Sequence, residues 1–173
     1  MTQKYSAGLL LFRRTGPEGA GRDGGEPGGE GPDGRVEVLL GHMGGPFWER
    51  REAGAWVIPK GEYEPYDEEP RDAARREFRE ELGLAPPEGP YLPLGEVRQT
   101  GGKLVTVWAV EADLDPALVR PGTFSMEWPP GSGRYEEFPE LDRVAWFAPG
   151  DARSLIVTSQ MPFLERLSGL LAE

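Results

Sequence analysis

The segment Asp67 to Leu84, DEEPRDAARREFREELGL, constrains the fold of this chain more than any other. Read as a helix, it aligns Ala74, Phe78 and Leu82 in one apolar stripe that needs a core to pack against. Glu77, Glu80 and Glu81 then gather at i, i+3 and i+4 on the flanking face. Pro70 suits the first turn of such a helix and Gly83 its end. Three neighbouring carboxylates repel one another, and a hard divalent cation is their natural compensation because it prefers carboxylate oxygen. An acidic helix face is ordinarily a solvated one, so the cluster gains meaning only from what surrounds it.

Around this helix the sequence predicts strands. Tyr5 to Arg13 holds the apolar run Ala7-Gly8-Leu9-Leu10-Leu11-Phe12 and reads as a buried strand, with a second at Val36 to Leu40. Between them, twelve of the nineteen residues from Gly16 to Gly34 are Gly or Pro. So little apolar content cannot offset ordering entropy, which predicts a flexible insertion at 16–34 within a single domain spanning 1–173. Trp56 to Ile58 reads as a short strand leading into Pro59-Lys60-Gly61. Leu94 to Gln99 and Leu104 to Glu111 read as a hairpin turning at Thr100-Gly101-Gly102, with Pro86 to Pro93 as an irregular connection before them. Asp113 to Leu141 lacks sustained periodicity, although Phe124, Met126 and Trp128 alternate as in an edge strand. Val144 to Phe147 is the last strand, and Ala152 to Leu171 holds a helix with Pro162 near an N-terminus. Strands before and after two helices predict an α/β fold with a mixed sheet and helices on its faces.

Composition removes several classes of function. A net charge of −11 argues against broad attachment to extended nucleic acid or to an anionic membrane. The absence of cysteine excludes disulfides, thiolate metal sites and cysteine nucleophiles, and the single histidine, His42, excludes a multi-histidine centre. No segment approaches the length of a transmembrane helix and the start lacks a signal-peptide pattern, so a soluble, cytoplasmic protein is expected.

The segment resembles the signature of the Nudix hydrolases, the superfamily typified by MutT. Glu68 is followed by seven residues and then by Arg76-Glu77-Phe78-Arg79-Glu80-Glu81-Leu82-Gly83-Leu84, which matches that signature at every position after the spacer. One departure stands before it: six residues, where the family has five, separate Gly61 from Glu68. Counted from Gly61, Asp67 takes the first acidic position; counted from Arg76, Glu68 does. Glu68 is preferred, because a helix fixes the second spacing while a loop absorbs an extra residue.

The resemblance implies a Nudix fold, an α/β/α sandwich with a mixed central β-sheet, and a pyrophosphohydrolase. It implies that Glu77, Glu80 and Glu81 ligate Mg²⁺ or Mn²⁺, that the backbone carbonyl of Lys60 adds a ligand, and that Arg76 pairs with Glu68. Water would attack phosphorus in a nucleoside diphosphate linked to a further group, with a box glutamate or a later one as base. Glu140, six residues before Trp146, is the later candidate; Glu136 and Glu137 compete with it. Pro59-Lys60-Gly61 resembles the diadenosine polyphosphate hydrolases, which makes Lys60 a candidate phosphate contact and a dinucleoside polyphosphate a candidate substrate. Nucleoside triphosphates, nucleotide sugars, inositol pyrophosphates and capped RNA ends remain compatible, as does a regulatory domain that binds nucleotide without cleaving it. Trp128 and Tyr135, with Phe138, are candidate platforms for a base, whereas Phe47, Trp48 and His42 read as structural. The expected assembly is a monomer or homodimer.

Overall fold

The structure, a computed structural model, describes residues 2–15 and 35–172. The predicted flexible insertion at 16–34 lies outside the described residues. Among the described residues, nine strands and three α-helices follow in chain order: β1 (Tyr5–Thr15), β2 (Arg35–Met43), β3 (Trp56–Val57), β4 (Lys60–Tyr63), α1 (Pro70–Leu82), β5 (Tyr91–Arg98), β6 (Leu104–Glu111), β7 (Thr123–Glu127), β8 (Tyr135–Pro139), β9 (Leu141–Phe147), α2 (Pro149–Leu155) and α3 (Met161–Leu171).

Seven strands make one mixed sheet in the order β3-β2-β1-β6-β5, with β4 added to β1 and β9 to β2. β1 lies at its centre, parallel to β6 on one side. Its other side is divided: Tyr5 to Gly8 pair with β4, and Phe12 to Thr15 pair antiparallel with β2. Because side chains alternate along a strand, β1 feeds two cores. Ala7, Leu9 and Leu11 meet Ala73, Ala74, Phe78 and Leu82 of α1. Leu10 and Phe12 meet Phe163, Leu164 and Leu167 of α3 on the opposite face. The architecture is therefore the expected α/β/α sandwich around a mixed sheet.

Several boundaries differ from the sequence reading, each for a local reason. The central helix begins at Pro70 rather than Asp67, and Glu69 before it is extended, as a residue preceding proline prefers. It ends at Gly83, which takes the left-handed conformation (φ 68°) and donates its N–H to the Arg79 carbonyl at 2.8 Å. The strand expected from Leu94 starts at Tyr91, so Tyr91 to Pro93 belong to β5 rather than to an irregular connection. Asp113 to Leu141 contains an antiparallel hairpin, β7–β8, beyond the one alternating strand expected. Ala152 to Leu171 is two helices: α2 stops at Leu155, where Ile156 bridges to Trp56, and Pro162 opens α3. β4 was not foreseen. It is an edge strand of four residues, too short to carry a period.

Candidate active site

The carboxylates of α1 face β4. Gly61 turns toward the helix, and a Cβ there would stand 1.9 Å from Glu77 Oε2, so only glycine leaves room for that carboxylate. Glu81 lies one turn further on, where the Lys60 backbone N–H acts on its carboxylate. Arg76 organises the outer side of the cluster. Its Nε and Nη2 donate to the two oxygens of Glu68 at 2.8 and 2.9 Å, a bidentate fork. Its Nη1 donates to Glu77 Oε1 at 2.8 Å and to Glu80 Oε2 at 3.1 Å. Glu68, not Asp67, is thus the residue that ties the loop before α1 to the helix.

Glu140 arrives from the other end of the chain. Its N–H donates to the Gly122 carbonyl at 2.8 Å, and its carbonyl accepts from Gly44 N–H at 3.0 Å. Both glycines are needed for so close an approach. A Cβ on Gly44 would meet the Pro139 carbonyl oxygen at 1.9 Å, and one on Gly122 the Glu80 carbonyl oxygen at 2.9 Å. Glu77, Glu80, Glu81 and Glu140 line one cavity of about 790 Å³, together with Lys60, Lys103, Ser6, Trp48 and Phe124.

Burial and neighbouring carboxylates raise the proton affinity of Glu77, Glu81 and Glu140. Burial, then Glu140 and Glu77, push the Glu81 carboxyl up to about 8. Burial raises Glu77 in spite of Arg76, and burial followed by Glu80 raises Glu140. Burial, then the nearby Lys103, lowers Lys60.

Among the described residues no three acidic or imidazole side chains converge on a single point as a metal cage; Arg76 draws Glu77 and Glu80 toward itself. The donor set nonetheless fits a hard divalent cation. Every donor is a carboxylate oxygen, one of them is cradled where Gly61 lacks a side chain, and only added positive charge relieves their mutual repulsion.

The structure brings Glu68, Arg76, Glu77, Glu80, Glu81, Glu140 and Lys60 together. It does not bring Trp128 and Tyr135 to this cavity: Trp128 packs edge-on against Phe47 at 5.4 Å between ring centroids, and Tyr135 is exposed. The aromatic walls of the cavity are Trp48 and Phe124. Sequence reading missed Trp48 as a wall because it also packs against the core. It missed Ser6 and Lys103 because only the β1–β6 and β1–β4 pairings bring them here. His42 is fully buried and structural, its ring nitrogens 2.9 Å from Asp142 Oδ1 and 2.6 Å from the Arg51 carbonyl.

Comparison with known proteins bears on the family and the fold. The family model described as NUDIX domain matches residues 30–167. No curated protein matches the chain in sequence. Among solved structures, a binary complex of a C. elegans Ap4A hydrolase is similar, with a TM-score of 0.61 at 21% identity over 96% of this chain and 98% of that one. The NUDIX domain of Shewanella oneidensis NrtR complexed with ADP ribose has a TM-score of 0.61 at 14% identity over 99% of this chain and 90% of that one. A mutT/nudix family protein from Listeria innocua has a TM-score of 0.59 at 16% identity over 99% of this chain and 96% of that one. With the matched segment covering most of the chain and the fold shared end to end, the protein belongs to the NUDIX family and is a Nudix-type hydrolase.

Proposed function

We propose that the protein hydrolyses a pyrophosphate bond in a nucleoside diphosphate-linked substrate, with Mg²⁺ or Mn²⁺ held by Glu77, Glu80, Glu81 and the Lys60 carbonyl. The observation that carries this reading is the meeting of three helix carboxylates with Glu140 and Lys60 in one cavity. A divalent cation bound there would neutralise phosphate oxygens and make attack by water easier. The protein's own groups do the rest. Arg76, forked onto Glu68, fixes the direction of Glu77 and Glu80. Glu140, held by its backbone on the far side of the cavity, accepts the proton of the attacking water. The Lys60 ammonium offers donors to phosphate oxygens, and Trp48 and Phe124 give a nucleobase two apolar faces. Trp128 and Tyr135 serve only a ligand that extends beyond the cavity along the β7–β8 hairpin.

Pro59-Lys60-Gly61 favours a dinucleoside polyphosphate within this class. Ap4A and ADP ribose, named for two structurally similar proteins, are the first substrates to test. A cytoplasmic setting is part of this proposal, and no helix among the described residues is long and apolar enough to cross a membrane. The decisive experiment incubates purified protein with Mg²⁺ or Mn²⁺ and a panel of dinucleotides, nucleotide sugars and triphosphates. Turnover that Glu81→Gln abolishes is expected. Tight binding with no turnover of any substrate would overturn the assignment.

A further inference from the structure

The chain has sixteen arginines but only three lysines, Lys4, Lys60 and Lys103. They are distant in sequence, yet the sheet draws all three to one place. Gly8 of β1 pairs with Lys60 of β4, and a Cβ on Gly8 would stand 2.7 Å from Lys60 Cβ, so the lysine lies over the glycine. Leu104, next to Lys103, donates its N–H to the Lys4 carbonyl at 3.0 Å. Lys103 Nζ reaches Glu62 Oε2 at 3.0 Å, from the residue before β6 across β1 to β4. Ser6 sits between, paired with Val105 on one side and Glu62 on the other. All three lysines act electrostatically on Glu62. Glu62 is the one carboxylate bonded within this corner, while Glu81 and Glu77 act on Lys60 from the helix side, so all three ammonium groups of a chain of net charge −11 gather at one edge of the carboxylate cavity.

Two further observations point to a ligand at this corner. Ser6 Oγ is fully buried, lines the cavity and has no hydrogen-bond partner among the described residues. A buried polar group left in that state is costly unless something fills it. Among the described residues the half-buried Lys60 ammonium forms no ion pair either. Lys103 lines both the carboxylate cavity and a neighbouring trough of about 610 Å³ that carries Lys4 and Arg98. Its ammonium has three donors, so the bond to Glu62 leaves others for a ligand.

We propose that Lys4, Lys60, Lys103 and Ser6 Oγ form an anion subsite for phosphates remote from the bond that is cut, so that the preferred substrate carries a chain of three or more phosphates. The inference rests on the proposed pyrophosphohydrolase reading and narrows it. Lysine suits this task because its compact charge meets successive phosphate oxygens from any direction, where a planar guanidinium prefers one bidentate contact.

With only three lysines the wild-type protein can report on itself. Reductive ¹³C-methylation should yield one resonance for each lysine and one for the terminal amine. Inorganic tripolyphosphate should shift the Lys60 and Lys103 signals at concentrations where pyrophosphate does not. As an independent measurement, Lys103→Met should weaken binding of tripolyphosphate more than that of pyrophosphate by roughly tenfold, with Lys103→Arg restoring part of the difference. Equal responses to the two anions, or none, would overturn the subsite. If the subsite binds tripolyphosphate while no substrate is turned over, the enzymatic reading fails and the subsite stands. A dinucleoside tetraphosphate that competes at lower concentration than tripolyphosphate assigns the phosphates to a nucleotide; otherwise they are an inorganic chain, and both results uphold the subsite.

Discussion

Glu81 is held in a state that the folded protein makes unfavourable. Its carboxyl is pushed up to about 8 from the ordinary 4.5 by burial, Glu140 and Glu77. A group whose proton affinity is higher in the folded chain stabilises the fold while it is protonated, below its unfolded value. That contribution is lost as pH rises through the folded value. The metal-free protein should therefore become less stable between about pH 5 and pH 8, with Glu77 and Glu140 adding in the same direction. Thermal melts in chelator across this range test the point. Glu81→Gln, which cannot ionise, should flatten the decline and raise the melting temperature at pH 8. Mn²⁺ should raise the wild-type melting temperature more at pH 8 than at pH 5, because cation and proton compete for the same oxygens. Profiles that run parallel in wild type and variant would remove Glu81 as the source. What favours binding here works against the empty fold, as expected where a site stores charge.

At the scale of elements, α1 and the loop before it form one device, and most of it was legible in the sequence. Glu77, Glu80 and Glu81 follow from helix geometry alone, and Arg76 to Glu68 is a spacing within one local segment. Legibility failed where a contact depends on strands distant in sequence. Lys103 carries no local signal, because its neighbours Lys4 and Glu62 arrive only through the parallel pairing of β1 with β6 and the antiparallel pairing with β4. The hairpin β7–β8 was obscured by Pro129, Pro130, Gly131 and Gly133, and by the exposed pair Glu136 and Glu137. Trp128 was therefore expected at the ligand although it packs on Phe47. The extra residue before Glu68 can be tested directly. The Arg76 guanidinium holds the Glu68 carboxyl below its ordinary range, so this ion pair stabilises above that range and is lost as pH falls through the folded value. Both partners are partly exposed, and the pair contributes about 1 kcal/mol or less. Glu68→Gln should therefore cost little stability. It should nonetheless speed hydrogen exchange of the amides of residues 64–69 and lower kcat. Asp67→Asn should do neither, and a larger loss from that change would assign the tie to the wrong acid.

The whole molecule puts its chemistry at one end of β1, while Thr15 and Arg35, the described residues on either side of 16–34, lie at the other. Ser6 and Gly8, at the start of β1, border the cavity, whereas Thr15, at its end, pairs with Arg35 across the ladder to β2. Nine residue steps of extended strand separate Ser6 from Thr15, which is roughly 30 Å. The family match begins at residue 30, after β1, yet β1 is the central strand and contributes to both cores. The fold therefore needs the residues before 16, and the pairing of Thr15 with Arg35 allows 16–34 to be replaced by a two-residue Asn-Gly turn. Closing a loop costs about 0.6 kcal/mol for each doubling of its length, so removing most of nineteen residues should stabilise the fold by roughly 1–2 kcal/mol. For a chain of this size that is a rise of roughly 2–8 °C in melting temperature. Because Thr15 and Arg35, between which the turn would be built, lie far along β1 from Ser6 and Gly8, kcat and KM should match those of the parent chain on the same substrate. A melting temperature that falls would mean that 16–34 packs on the domain. A raised KM with an intact fold would mean that it reaches the cavity, and the boundary between scaffold and site would have to be redrawn to include it.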